Sequence, residues 1–390
     1  MTRRDFLAAT GALGLGSILG PSLLSGAEAP RPAMPRRLFG KTGVSVPILG
    51  LGCMFDIIDN QVILRQTFDH GVTYWDTAAA YEKGGSERGI SMFLDKNPSA
   101  RKELFLVTKG QYHNFPHTLD ESLARLKTDY VDLFLLHNVK SIEEVDRPDV
   151  RAFAEKAKKD GKIRFFGFST HTNMAQCLAG AAKLGWIDGI LVAYSFRIMH
   201  EPDLRAALDA CEKAGIGLTA MKTQGQRQGA DTPEQAAFLA PLIAGGLTPG
   251  QAKLKVVLEN PQIANTCVQM PNLKLCRENM AAALDPKALS TADRLALARY
   301  AAATDNSHCA GCARLCEPAL AGSVPVREVM RHLMYERHYG GAVDARALFS
   351  ELPAEVRERL ARVDYAPAER ACPHGLAIGS LMREAASRLA

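Results

Sequence analysis

From residue 36 onward the chain alternates two kinds of pattern. One is a set of short, continuous apolar runs: PILGLG (47–52), VTYWDT (72–77), LFLVTK (104–109), VDLFLLH (131–137), IRFFGFS (163–169), GILVAY (189–194), IGLTAMK (216–222) and IANTCVQ (263–269). Unbroken apolar runs of this length are the mark of parallel strands covered on both faces. Between them, apolar residues recur every three or four positions, as in LDESLARLK, VRAFAEKAKKDGK, PDLRAALDACEKAG and PGQAKLKVVLEN. These are amphipathic helices, and several stop at a glycine just before the next strand. Eight strand–helix units over roughly 250 residues predict an α/β fold, a (β/α)8 TIM barrel across 36–300. RRLFGKTGVSV (36–46) predicts an N-terminal β-hairpin at the barrel floor. The rival, a doubly wound open sheet, would be expected to carry G-x-G-x-x-G after a strand and before a helix, and no such run is present.

In a barrel of this kind chemistry sits at the C-terminal ends of the strands. Asp76 ends the second run, with Tyr81 in the loop beyond it. Lys109 ends the third and His137 the fourth. Singly, each has a plain structural reading: a helix cap, a salt-bridged strand end, a satisfied histidine. Together they place an acid, a phenol, an ammonium and an imidazole on one rim. The expectation is that Lys109 lowers the Tyr81 phenol from its usual value near 10 and that Asp76 keeps Lys109 charged. His137 would then orient a carbonyl oxygen while Tyr81 protonates it.

GVTYWDTAAAYEKGGSE, LFLVTKG, DYVDLFLLHN and GKIRFFGFST resemble the motifs of the aldo-keto reductase superfamily, and RRLFGKTGVSVPILGLG resembles its opening hairpin and first strand. The resemblance covers roughly 36–285. It implies a catalytic tetrad of Asp76, Tyr81, Lys109 and His137 with Tyr81 as general acid. It also implies NADP, or less often NAD, as hydride carrier, and a small-molecule carbonyl or alcohol as substrate. On the nucleotide side it implies Ser169, Met221, Gln269, Asn272, Glu278 and Asn279. Ser169 and the pair Glu278-Asn279 match the family pattern. Thr170 stands where the family has Asn, and Met221-Lys222 where it has a stacking aromatic residue. The 2′-phosphate positions hold Gln269, Met270 and Leu275, with Lys274 and Arg277 nearby but out of register.

Composition adds little until the two ends are reached. Net charge is +5, without a Lys/Arg run of the sort that tracks nucleic acid, so no nucleic-acid partner is expected. The chain opens MTRRDFLAATGALGLGSILGPSLLSGAEAP, a twin-arginine start, a weakly apolar run and a small-residue end. This predicts a twin-arginine export signal over 1–29, a periplasmic protein, and no stable membrane span in the mature form. A periplasm keeps no NAD(P)H pool, so an exported reductase would carry its nucleotide out bound and recycle it with a second substrate.

After residue 300 the barrel pattern ends, and 301–390 is expected to be a small, mainly helical C-terminal module. Of nine cysteines, five are scattered singly and four form a constellation: Cys309-x2-Cys312-x3-Cys316, then Cys372-Pro373. The bacterial ferredoxin run is C-x2-C-x2-C-x3-C-P, with the fourth cysteine serving the other run's cluster. Here the first run lacks its fourth cysteine (Leu320 stands there). The second keeps only that one, with Arg362, Tyr365 and Ala368 at the other three positions. The four survivors are the set for one [4Fe-4S] cluster, and the module resembles one that some aldo-keto reductases carry at their C-terminus. Cys312 to Cys316 is one residue longer than the template. A four-thiolate zinc site and disulfides are the alternatives. GSVPVREVMRHL (322–333) and GLAIGSLMREAA (375–386) form a weak internal repeat. No flavin motif links one-electron to hydride chemistry, so the cluster is expected to be structural or to serve a redox partner protein.

Two functions follow as expectations. One is an exported oxidoreductase that reduces a carbonyl, or oxidises an alcohol, with a nicotinamide. The other is an electron-transfer or binding subunit whose barrel no longer turns nicotinamide over.

Overall fold

A computed structural model describes residues 33–111, 114–226, 231–339 and 344–390. The expected export signal lies outside the described residues. Eight parallel strands close into a barrel: Leu49–Gly52 (β3), Tyr74–Asp76 (β4), Phe105–Gln111 (β5), Val131–His137 (β6), Ile163–Thr170 (β7), Gly189–Ala193 (β8), Gly217–Met221 (β9) and Asn265–Gln269 (β10). They pair in chain order, and β10 closes on β3 with Cys267 opposite Gly50. All eight apolar runs are therefore strands of one sheet. Helices Pro148–Lys159, Pro202–Lys213 and Pro249–Leu258 each begin on a proline, which suits the first turn because its missing N–H has no partner there. Gly161, Gly185 and Gly215 follow helices in the left-handed region and turn the chain back toward the sheet.

Arg36–Leu38 (β1) and Ser45–Pro47 (β2) pair antiparallel below the barrel. Between them Phe39, fully buried, plugs the floor against Tyr74 and Phe105. The plug explains two glycines: a Cβ on Gly189 or Gly217 would lie 2.6 or 2.5 Å from the Phe39 ring. Burying that ring contributes on the order of 2 kcal/mol. Above it, Tyr74 stacks on Phe105 at 5.2 Å and Phe105 on Phe165 at 6.2 Å, filling the interior. The barrel is thus solid at the bottom and open only at its C-terminal mouth.

The remaining chain is helical. Thr291–Ala303 packs Leu297 and Tyr300 into the main core. A second core lies beyond Leu320, where Val326–His338 packs on Ile378–Arg388. Both helices follow a glycine in the left-handed region, Gly322 (φ 67°) and Gly375 (φ 61°), at matching places in the sequence repeat. The cysteine-rich turn docks on the loop after β7. Asn173 N–H donates to Gly311 O at 2.8 Å, and Arg327 Nε donates to His171 O at 2.9 Å.

Candidate active site

The strand ends bring the four predicted residues together. Lys109 Nζ donates to Asp76 Oδ2 at 2.7 Å, to Thr77 O at 2.7 Å and to the Tyr81 hydroxyl at 3.3 Å. The His137 ring meets Tyr81 edge-on, centroids 5.8 Å apart. Asp76 and Lys109 are almost wholly buried, so an unpaired charge on either would be strongly destabilising, and the ion pair is what allows both to sit there.

One expectation is corrected. Lys109 does not lower the Tyr81 phenol: burial, reinforced by Asp76 and Tyr335, pushes it well above 10. The ammonium is neutralised by the carboxylate 2.7 Å away, which leaves desolvation in control. Tyr81 therefore holds its proton across the working range. Burial, reinforced by Lys109, Arg331 and Lys222, likewise drives His137 well below its ordinary value, so its imidazole is neutral. The site offers two neutral donors, a phenol and an imidazole.

These groups sit at the base of a cavity of about 1280 Å³. Ser169, Met221 and Gln269 share its wall. Ser169 Oγ accepts from Asn138 N–H at 3.0 Å and keeps its own proton free to donate. Gln269 Nε2 donates to Met54 O. Thr170, in the family's Asn position, turns away: its hydroxyl donates to Val139 O at 2.7 Å. Asn272, Glu278 and Asn279 do not reach the cavity wall. Asn272 caps Leu273–Leu284 through Leu275 N–H, and Asn279 is buried on that helix. Lys222, noted in sequence only as standing where an aromatic was expected, is on the wall too, and several wall residues were not singled out: Asn138, His171, Glu328, Arg331, His332 and Tyr335. Asn138 and His171 adjoin motif residues and could have been found. The others depend on a helix far away in sequence.

Cys309, Cys312, Cys316 and Cys372 line one small apolar pocket together with His374. All are free thiols. Burial first, then the neighbouring thiols, pushes Cys312 up to about 11 and Cys316 up to about 12. Among the described residues no three His, Cys, Asp or Glu side chains gather closely enough to hold a single metal ion.

Residues 55–236 match the model of the aldo/keto reductase family. Among curated proteins, an NADP(+) aldo-keto reductase of Schizosaccharomyces pombe is 29% identical over 208 residues, 47% of this chain and 59% of that protein. L-glyceraldehyde 3-phosphate reductase of Escherichia coli K12 is 26% identical over 211 residues, 48% of this chain and 60% of that one. The chain thus spans about three fifths of these relatives' length. An aldo-keto reductase from Klebsiella pneumoniae, solved with NADPH, superposes with a TM-score of 0.54 at 24% identity, covering 68% of this chain and 95% of that one. The last comparison speaks to the fold alone. Family match and relatives point the same way: residues 55–236 resemble the aldo/keto reductase family, and the barrel has the fold of its solved members.

Proposed function

We propose that the chain is an exported oxidoreductase that reduces a carbonyl compound, or oxidises the corresponding alcohol, with a nicotinamide cofactor. The observation that carries this is the Asp76–Lys109–Tyr81 chain of contacts beside His137 at the base of a roomy cavity. A relative whose name carries NADP(+) supports the cofactor. The chain's own residues fit it at the nicotinamide end. Asn138 Oδ1 is buried without a partner, and the Ser169 hydroxyl beside it is free to donate. An acceptor and a donor side by side suit a carboxamide. When bound, the nicotinamide supplies hydride to the carbonyl carbon. His137 and Tyr81 hold the carbonyl oxygen, and Tyr81 gives it a proton. The alcohol leaves, and the phenolate sits beside the Lys109 ammonium until it is reprotonated.

Replacing Tyr81 with Phe removes that proton while keeping the ring. NADPH-dependent reduction of small aldehydes should fall by about 10²–10⁴-fold with nucleotide affinity little changed. Reduction that continues at the wild-type rate would remove Tyr81 from the role.

The second part of the reading is one [4Fe-4S] cluster on Cys309, Cys312, Cys316 and Cys372. A zinc ion needs all four sulfurs within about 2.3 Å of one point, whereas a cubane takes each thiolate at a different iron. That the four cysteines line one small pocket is what supports a shared ligand set. Iron held by these four half-buried cysteines would supply a structural clamp or a one-electron store for a partner. The twin-arginine start supports export of a protein that takes up its cofactor before leaving the cytoplasm. The reading of a barrel that has lost nicotinamide turnover is favoured by one observation: Asn272, Glu278 and Asn279 stand off the cavity wall.

A further inference from the structure

The cavity over the tetrad has a second wall, made by the C-terminal segment. Glu328, Arg331, His332 and Tyr335 recur at helical spacing on Val326–His338, and all four line the cavity. Lys222 leaves the end of β9 with φ +57° and donates through Nζ to the Tyr335 hydroxyl at 2.9 Å. The Lys222 ammonium and the Arg331 guanidinium also lie over the Tyr335 ring, 4.6 and 5.6 Å from its centroid. One cavity thus holds two ammonium–phenol pairs, Lys109–Tyr81 and Lys222–Tyr335. Protonating one carbonyl oxygen uses only the first.

The second wall has open valences. Arg331 donates through Nη2 to the Glu328 carboxylate, but its Nε is buried and unpartnered. Nδ1 of His332 is also without a partner, and across the cavity so is Nδ1 of His171. Arg331 is 8% exposed and His332 2%, so bulk water does not readily serve them. Buried polar atoms in native proteins are paired, and a wall carrying several unpaired ones awaits a polar ligand. A carboxylate or phosphate would only accept, and would face Glu328. A hydroxyl both donates and accepts, so it can take a hydrogen bond from Arg331 and give one to Tyr335.

From this geometry we propose that Lys222, Arg331 and Tyr335 form a second anchor that binds a hydroxyl of the substrate, making hydroxylated carbonyl compounds (hydroxy-aldehydes and hydroxy-ketones) the preferred class. This rests on the reductase reading and narrows it. Tyr335 here sets specificity, and the proton for the carbonyl still comes from Tyr81.

The test compares wild type with Tyr335→Phe, which keeps the buried ring. kcat/KM is measured with NADPH for glyceraldehyde and for propanal, alike in size but differing in hydroxyls. The variant should lose up to about tenfold on glyceraldehyde, the upper end for one neutral hydrogen bond, and less than about twofold on propanal by the same reasoning. Equal losses on both would overturn the anchor. A second measurement does not depend on turnover: an ultraviolet tyrosinate titration of both proteins, with and without each aldehyde. Glyceraldehyde should shift an ionisation that Tyr335→Phe removes, and propanal should not. If wild type reduces neither aldehyde, the reductase reading falls, and this titration still decides the anchor: absence of the shift overturns it.

Discussion

Tyr81 and Tyr335 are both phenols beside an ammonium, yet they hold their protons differently. Lys109 is neutralised by Asp76 at 2.7 Å, so burial controls Tyr81 and raises it. For Tyr335 burial also raises, but Lys222 and Arg331 outweigh it and bring the phenol down to about 8. Tyr339, Tyr81 and Glu328 also face that part of the cavity. The group is mainly phenol below pH 8 and mainly phenolate above it, and a phenolate accepts the stronger hydrogen bond. The preference for glyceraldehyde over propanal should therefore rise as pH climbs through about 8 in wild type and stay flat in Tyr335→Phe. A preference that falls over that range would contradict this assignment. The tetrad itself was legible in the sequence, because each member ends an apolar run or follows one closely. The Tyr81 shift was not, since it depends on how completely Asp76 cancels Lys109 and how little water remains. Lys222–Tyr335 was invisible for another reason: its partners lie 113 residues apart.

Among the elements, the strands were the most readable. Parallel strands covered on both faces leave continuous apolar runs, and all eight runs became barrel strands. The hairpin was legible too, but the task of Phe39 was not: nothing local shows that Gly189 and Gly217 are empty for its ring. Gly217→Ala should destabilise the barrel by about 1–3 kcal/mol, the usual range for overpacking, measured by urea unfolding. Combining it with Phe39→Leu should recover part of that loss, because the Cβ would lie 2.5 Å from side-chain atoms of Phe39 itself. Independent, additive losses would show that the contact is not the cause. The helices of the C-terminal segment could be expected from the repeat and composition. Their position over the barrel mouth could not, because it is set by long-range contacts such as Arg327 to His171 O.

For the whole molecule, one helix joins the two places where chemistry is expected. Val326 and Arg327, in the first turn of Val326–His338, line the cysteine pocket, while Glu328, Arg331, His332 and Tyr335 line the cavity over the tetrad. Whatever fixes the cysteines therefore also fixes the second wall. Cys372→Ala should remove one ligand of the proposed cluster, so anaerobically purified protein should lose bound iron and sulfide. Hydrogen exchange across Val326–His338 should quicken as well. Iron content that is unchanged would refute the four-cysteine assignment.

The central claim is that the barrel mouth is a working nicotinamide site, and direct binding tests it most plainly. Anaerobically purified protein, stripped of any nucleotide that came with it, would be titrated with NADPH in a calorimeter. Binding at one site per chain, preserved in Tyr81→Phe, is the predicted result. A folded protein that takes up neither NADPH nor NADH would contradict the claim, and the barrel would then be a scaffold for the cysteine site and its partner.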